Sequence, residues 1–239
     1  EEEASRLRHL EFKFGFFAPF VQKMLQETDL YNGVAINMLQ QGLNKPELTD
    51  DGNVLELRES KPYNVSDAEG KVHIRNAVPQ SYSLSEGRNI LVLTGANSSG
   101  KTEAMKTTLI EAALAIAGFP VSGKIRVSGF DRIFTVFGGE NVVPKRFDDW
   151  VNFLVKKGTA QGESYFMNLL NKYAYIMLNA TPNSLVILDE LHGTDYFELA
   201  AIQLAVLHYL RMKRCTVVFN THVRDGLKET SDKLGMDLW

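Results

Sequence analysis

Three short stretches gather side chains able to handle a phosphate and a metal ion. They are T-G-A-N-S-S-G-K-T at 94–102, the Asp189-Glu190 pair closing Ser184-Leu-Val-Ile-Leu188, and Thr221-His222 closing Thr216-Val-Val-Phe-Asn220. In the first, Gly95, Gly100, Lys101 and Thr102 fit G-x-x-x-x-G-K-[ST], with Ala96, Asn97, Ser98 and Ser99 in the middle. The glycines let successive backbone N–H groups turn inward as an anion nest, a following helix adds its positive end, and Lys101 adds a full charge. This is a cradle for a triphosphate, with the Thr102 hydroxyl placed for Mg²⁺. A chance match in a chain of this length is on the order of 1%. Asn97-Ser98-Ser99 also spells a glycosylation sequon, which a loop wrapped around phosphate does not serve.

A cradle hydrolyses nothing by itself. Asp189 is placed to hold Mg²⁺ and Glu190 to polarise an attacking water. Taken alone, an apolar strand followed by two acids could equally open a solvated helix; the cradle upstream favours the chemical reading. His222, just past a third apolar strand, can donate a hydrogen bond to the γ-phosphate or the attacking water, and its plainer role is a cap or a surface histidine. His9, His73 and His208 lack such a setting, and His192 is intermediate.

These stretches need a scaffold that brings them to one place. From residue 89 the pattern predicts strand 89–94, helix 101–117, strand 131–137, helix 163–179, strand 184–189, helix 195–212 and strand 215–220. Apolar strands alternating with helices imply an α/β fold whose mainly parallel sheet is covered on both faces, with ligands at the carboxyl ends of its strands. Tyr165, Phe166, Leu169, Leu170, Tyr173, Ile176 and Met177 give the helix near 163–179 one apolar face. Upstream, Val54–Leu57 and Lys71–Arg75 alternate as short strands. Residues 1–45 read as helical: Leu7, Leu10, Phe14, Phe17, Val21 and Met24 form a heptad-like stripe that Gly15 and Pro19 divide into two pieces. Thr28-Asp29 would cap a further helix ending near Gly42.

Composition sets the outer limits. The chain has 239 residues, 44% apolar and 23% charged, enough for one large core or one core with a small appendage. A net charge of −3 gives no basic footprint for non-specific nucleic-acid binding. One cysteine excludes an internal disulfide, and no apolar run approaches 18 residues, so the expectation is an intracellular protein, in the cytoplasm or with the nucleoid or nucleus, and no membrane partner. The opening Glu1-Glu2-Glu3, without Met or a signal pattern, leads one to expect a piece of something longer.

Taken together, these residues resemble the MutS family of DNA mismatch-repair proteins, specifically its C-terminal ATPase domain. The resemblance runs from about Asp29 to about Leu227. It rests on T-G-A-N-S-S-G-K-T, D-R-I-F-T-V-F-G at 131–138, G-E-S-Y-F-M at 162–167, N-A-T-P-N-S-L-V-I-L-D-E at 179–190 and F-N-T-H at 219–222, in that order. Lys45-Pro46-Glu47-Leu48 and residues 54–62 look like the family's approach from its lever helices.

The resemblance implies a P-loop fold of the ABC type, with residues 1–45 a lever remnant and 46–239 an ATP-hydrolysing domain using ATP and Mg²⁺. It implies a homodimer, or a heterodimer with a paralogue, in which each site is completed by the neighbouring subunit. DNA would be contacted through other parts of a full-length protein. It assigns Asn97 to the γ-phosphate, Ser164 to the partner's nucleotide, His222 to a switch role and Val78 to the adenine ring; Ser164 also suits an ordinary N-cap.

Departures from the family pattern are A-N-S-S-G-K-T for P-N-M-G-G-K-S, S-Y-F-M for S-T-F-M, and a shortened His192-Gly193-Thr194-Asp195 after the acids. There is also an insertion across 140–161, and Trp239 falls before a C-terminal helix-turn-helix. The competing function is a nucleotide-gated dimerisation module of another P-loop machine, of chromosome-maintenance or transporter type. The absence of an L-S-G-G-Q stretch argues against it.

Overall fold

The computed structural model describes residues 2–65, 72–74, 77–96, 99–137, 165–190 and 195–233. They fall into two compact units, Glu1–Asn44 and Lys45–Trp239.

The first unit is one helix, α1 (Glu2–Gln41), with Pro19 inside it. The expected division into pieces is therefore corrected. Thr28 does not cap a new helix: its hydroxyl donates back to the Met24 carbonyl at 2.7 Å, the i−4 bond that a threonine within a helix makes. Asn37 likewise donates to the Gly33 carbonyl at 3.1 Å. The helix ends where expected. Gly42 takes φ +63°, and the Leu43 N–H reaches the Met38 carbonyl, the six-to-one bond that closes a left-handed C-terminus.

In the second unit, β6 (Ile90–Leu93), α2 (Lys101–Ile116), β8 (Arg132–Val136), α3 (Tyr165–Asn179), β9 (Ser184–Leu188), α4 (Tyr196–Met212) and β10 (Thr216–Asn220) fall within a few residues of the expected bounds. A last helix, α5 (Arg224–Lys233), follows. The four strands form a wholly parallel sheet in the order β6-β10-β9-β8.

Strand periodicity explains how this sheet is covered on both faces. Along β9, Val186 and Leu188 join one apolar cluster with α3 and α4, through Leu169, Tyr173, Leu204 and Leu207. The alternate Leu185 and Ile187 join the other, with Met105, Leu109 and Ala112 of α2. In β10, Val217 and Phe219 face the first cluster and Val218 the second.

The single expected sheet is also corrected. A second four-stranded sheet runs in the order β1-β7-β2-β5, formed by β1 (Glu47–Thr49), β7 (Lys124–Ser128), β2 (Leu55–Ser60) and β5 (Gln80–Leu84). Only β1 and β7 pair in parallel there; β2 is antiparallel to both neighbours. A separate two-stranded antiparallel pair joins β3 (Tyr63–Val65) and β4 (Val72–Ile74). Leu55, Leu57, Ile125 and Val127 of the second sheet share the α2 cluster, so α2 is packed between two sheets. This accounts for the breadth of its buried face, from Met105 and Leu109 to Thr107 and Glu111, while Ile110 stays exposed. Among the described residues, no helix is long and apolar enough to cross a membrane.

Candidate functional site

Parallel strands carry their carboxyl ends to one edge, and the three sequence stretches meet there. β10 lies between β6 and β9, with Asn220 in register with Leu93 and Phe219 with Leu188. The chain therefore leaves β6 into 94–100, leaves β9 into Asp189-Glu190 and leaves β10 into Thr221-His222, all along adjacent strands. The Thr221 N–H bonds to the Leu93 carbonyl and the Asp189 N–H to the Val136 carbonyl, extending the ladder past the strand ends.

The loop before α2 has the conformation its glycines permit. Gly100 is the N-cap at φ +87°, and Gly95 sits at φ +151°. A Cβ on Gly95 would stand 3.1 Å from the Ser99 hydroxyl, so both space and backbone angle select glycine. Among the described residues no side chain caps α2, whose first N–H groups have no carbonyl partner within the helix. That end is therefore a positive, donor-rich terminus suited to an anion. Lys101 folds back over the loop, its Nζ donating to the carbonyls of Gly95 and Ala96, each at 2.8 Å. Its charge is thus held over the loop itself.

Thr102 and Asp189 are 87 residues apart in sequence and touch: the Thr102 hydroxyl donates to Asp189 Oδ2 at 3.2 Å. Asp189 is 6% exposed. Its other oxygen, Oδ1, accepts from Asn220 Nδ2 at 2.7 Å and from the Glu190 N–H at 3.0 Å, and its carbonyl accepts from the Tyr173 hydroxyl at 3.0 Å. Glu190 and His222 form a pair, Oε2 to Nε2 at 2.9 Å, with side chains 11% and 31% exposed. Behind them, the Thr221 hydroxyl donates to buried Gln203 on α4 and accepts from the Val223 N–H, which fixes the turn carrying His222.

The donor set suits Mg²⁺. A hydroxyl and a carboxylate oxygen 3.2 Å apart match the edge of an octahedron with metal–oxygen distances of about 2.1 Å, roughly 3.0 Å long. Among the described residues no three His, Cys, Asp or Glu side chains converge into an all-protein metal site. Thr102 and Asp189 are the residues that would hold such an ion, with the remaining positions left to phosphate and water, the arrangement Mg²⁺ favours.

Of the residues singled out from sequence, Gly95, Ala96, Ser99, Gly100, Lys101, Thr102, Asp189, Glu190 and His222 belong to this edge. Val78 is 90% exposed, in the segment before β5; two residues on, Gln80 donates to the Ala104 carbonyl at 3.2 Å, which ties that segment to the first turn of α2. Asn97, Ser98, Ser164, the 191–194 loop with His192, and the 140–161 insertion lie outside the described residues. Sequence assigns no site role to Asn220 or Gln203, and gives Tyr173 only a place on the apolar face of its helix. A polar residue closing the otherwise apolar Thr216-Val-Val-Phe was the one available signal for Asn220.

Residues 91–235 match the family described as MutS domain V. The chain is 31% identical over 209 residues to the DNA mismatch repair protein MutS of Clostridioides difficile (strain 630), covering 86% of this chain and 20% of that protein. It is 30% identical over 206 residues to the Endonuclease MutS2 of Carboxydothermus hydrogenoformans, covering 85% and 23%. To the Endonuclease MutS2 of Fusobacterium nucleatum it is 33% identical over 147 residues, covering 60% and 17%. The chain thus spans about a fifth of the length of these curated relatives.

Proposed function

Because this chain belongs to the MutS family, matching its domain V over 91–235, we propose that it binds ATP with Mg²⁺ and hydrolyses it to ADP and phosphate. The observation that carries this reading is the meeting, at one sheet edge, of an uncapped glycine-rich loop, the Thr102–Asp189 pair and the Glu190–His222 pair.

In this reading the N–H groups opening α2 receive the phosphates, and Lys101 exchanges its two loop carbonyls for phosphate oxygens. Thr102 and Asp189 would hold the ion, which would supply neutralisation of phosphate charge. Glu190 orients a water for in-line attack: a bond forms from its oxygen to the γ-phosphorus, the bond to the ADP oxygen breaks, and the water's proton leaves by way of Glu190 to the phosphate released. His222 steadies the Glu190 carboxylate and, by donating to the γ-phosphate, would report its presence.

The wider reading is that the domain works within a longer MutS-like DNA repair or recombination protein, paired with a second copy or a paralogue, with DNA contacted elsewhere. The relatives named DNA mismatch repair protein MutS and Endonuclease MutS2 support it. An intracellular setting follows from that role.

Calorimetric titration of ATP with Mg²⁺ into the wild-type chain and into Lys101→Ala tests the core of this proposal. Tight, metal-dependent binding by the first and weakened binding by the second is expected; equal affinities would contradict it.

A further inference from the structure

Asn220 closes β10 at the same register level as Leu93 and 4% exposed, where the preceding Val217, Val218 and Phe219 are all apolar. An apolar residue would pack there without cost, whereas a buried carboxamide is unfavourable unless hydrogen-bonded. This one is half satisfied. Its Nδ2 donates to Asp189 Oδ1 at 2.7 Å, and its Oδ1 is buried with no hydrogen-bond partner among the described residues. The orientation of the amide is dictated by its neighbour, since an ionised carboxylate only accepts.

The consequence lies on Asp189. Among the described residues, Oδ1 takes two donors, Asn220 Nδ2 and the Glu190 N–H, while Oδ2 takes the Thr102 hydroxyl alone. Two bonds to one oxygen fix the rotation of the carboxylate and leave the other turned toward Thr102. Without Asn220, one backbone N–H would hold it, and the carboxylate could rotate about χ2, which is soft for an sp²-terminated side chain.

We propose that Asn220 is a positioning residue that locks Asp189 with Oδ2 presented to the metal ion. Its unpaired Oδ1 is an acceptor for a water of that ion's shell. The strand order makes this possible, because β10 lies between the cradle strand and the strand bearing Asp189. The inference rests on the nucleotide and metal reading of the site given above.

The test reads metal binding rather than turnover. Mn²⁺ is titrated, by electron paramagnetic resonance, into protein held with a non-hydrolysable ATP analogue, and affinity for the analogue in EDTA is measured separately. In Asn220→Ala, half-saturation by Mn²⁺ is expected to rise about tenfold, the usual scale for loss of a residue that orients a metal ligand. Affinity in EDTA is expected to stay within about twofold. Val218→Ala, two residues earlier on the same strand, is the packing control and is expected to leave the Mn²⁺ curve in place. Should the alanine variant not fold, Asn220→Leu is read instead; it keeps the size of the side chain but cannot donate to Asp189, and the same shift is expected.

An unchanged Mn²⁺ curve in the Asn220 variant, or an equal shift in Val218→Ala, would overturn this inference alone. A wild-type chain that takes up no nucleotide would overturn the reading of the site, and this inference with it.

Discussion

Asp189 and Glu111 are both carboxylates removed from water, 6% and 0% exposed, yet their surroundings differ in kind. Asp189 stands at the carboxyl edge of the parallel sheet. Its donors come from β10, from its own chain neighbour and from α2, and beside it lies the partly exposed Glu190–His222 pair. Glu111 lies in α2, and its donors come from the region of the second sheet. Its Oε1 accepts from the Tyr63 hydroxyl at 2.6 Å and from Ser122, through the backbone N–H at 2.9 Å and through the hydroxyl. Ser122 in turn bonds the Lys61 backbone in both directions.

The Glu111 network joins three segments and ends within them; the Asp189 network ends at the glycine-rich loop before α2. Both also leave one atom without a partner among the described residues, Oε2 of Glu111 and Oδ1 of Asn220. Burial and an orphaned atom therefore do not by themselves mark function. What separates the two acids is the neighbourhood onto which their remaining valence opens.

The comparison is sharpest if mutations at the two places affect different quantities. The largest effect belongs to Glu190→Gln, which keeps size and nucleotide contacts but cannot take a proton. Turnover measured by phosphate release is expected to fall about 10²- to 10⁴-fold while ATP stays bound. Next is Lys101→Ala. Loss of a charge-assisted contact of about 1.5–3 kcal/mol lowers ATP affinity by roughly 10- to 150-fold, as read by calorimetry.

Glu111→Ala is expected to act on stability alone. It removes the acceptor of the Tyr63 hydroxyl, at about 1–3 kcal/mol for an unpaired donor, while the Ser122 N–H keeps the Tyr63 oxygen as a partner, and each kcal/mol lowers the melting temperature by about 2–4 °C in a chain of this size. ATP affinity at a temperature where the variant is folded should be that of wild type; a drop comparable to Lys101→Ala would break the distinction drawn here.

The smallest effect is a pH dependence. Burial, and then the charge of Glu111, raises the Tyr63 phenol above its ordinary value near 10. The folded state thus favours the neutral phenol. Its contribution to stability is complete below pH about 10 and is lost as pH rises above that, where the unfolded chain ionises first. Tyr63→Phe should flatten the alkaline decline in melting temperature. Tyr82, raised in the same direction by its burial, keeps part of that decline in place.

How much of this was legible beforehand depended on how local the cause is. The strands and helices from residue 89 onward were readable because apolar runs such as Ser184–Leu188 are uninterrupted and are punctuated by turns or by the glycine loop. The second sheet was legible only in part: Val54–Leu57 reads as a strand and β2 bears it out, whereas β7 gives no such signal. Lys124–Ser128 is five residues with charges between its apolar positions, and it becomes a strand by pairing with β1 and β2, up to 79 residues away. The continuity of α1 was misread because Pro19 and Thr28 are usual boundary signals; in the structure Thr28 bonds backward within the helix.

At the site, the glycine loop and the paired acids announce themselves by residue type and spacing. The Asn220–Asp189 bond does not, since its partners are 31 residues apart and meet only through the strand order. The same holds for Glu111, whose amphipathic position gives no hint that Tyr63 and Ser122 converge on it.

The central claim, that Glu190 acts on a nucleotide held by the loop at 94–102, has one direct measurement. Glu190→Gln and wild-type protein, each in excess over γ-labelled ATP with Mg²⁺, are incubated, denatured, and the nucleotide recovered. Wild type is expected to return ADP and free phosphate, and Glu190→Gln to return intact ATP that had been bound. Recovery of ADP in equal yield from both, or of intact ATP from both, would contradict the account.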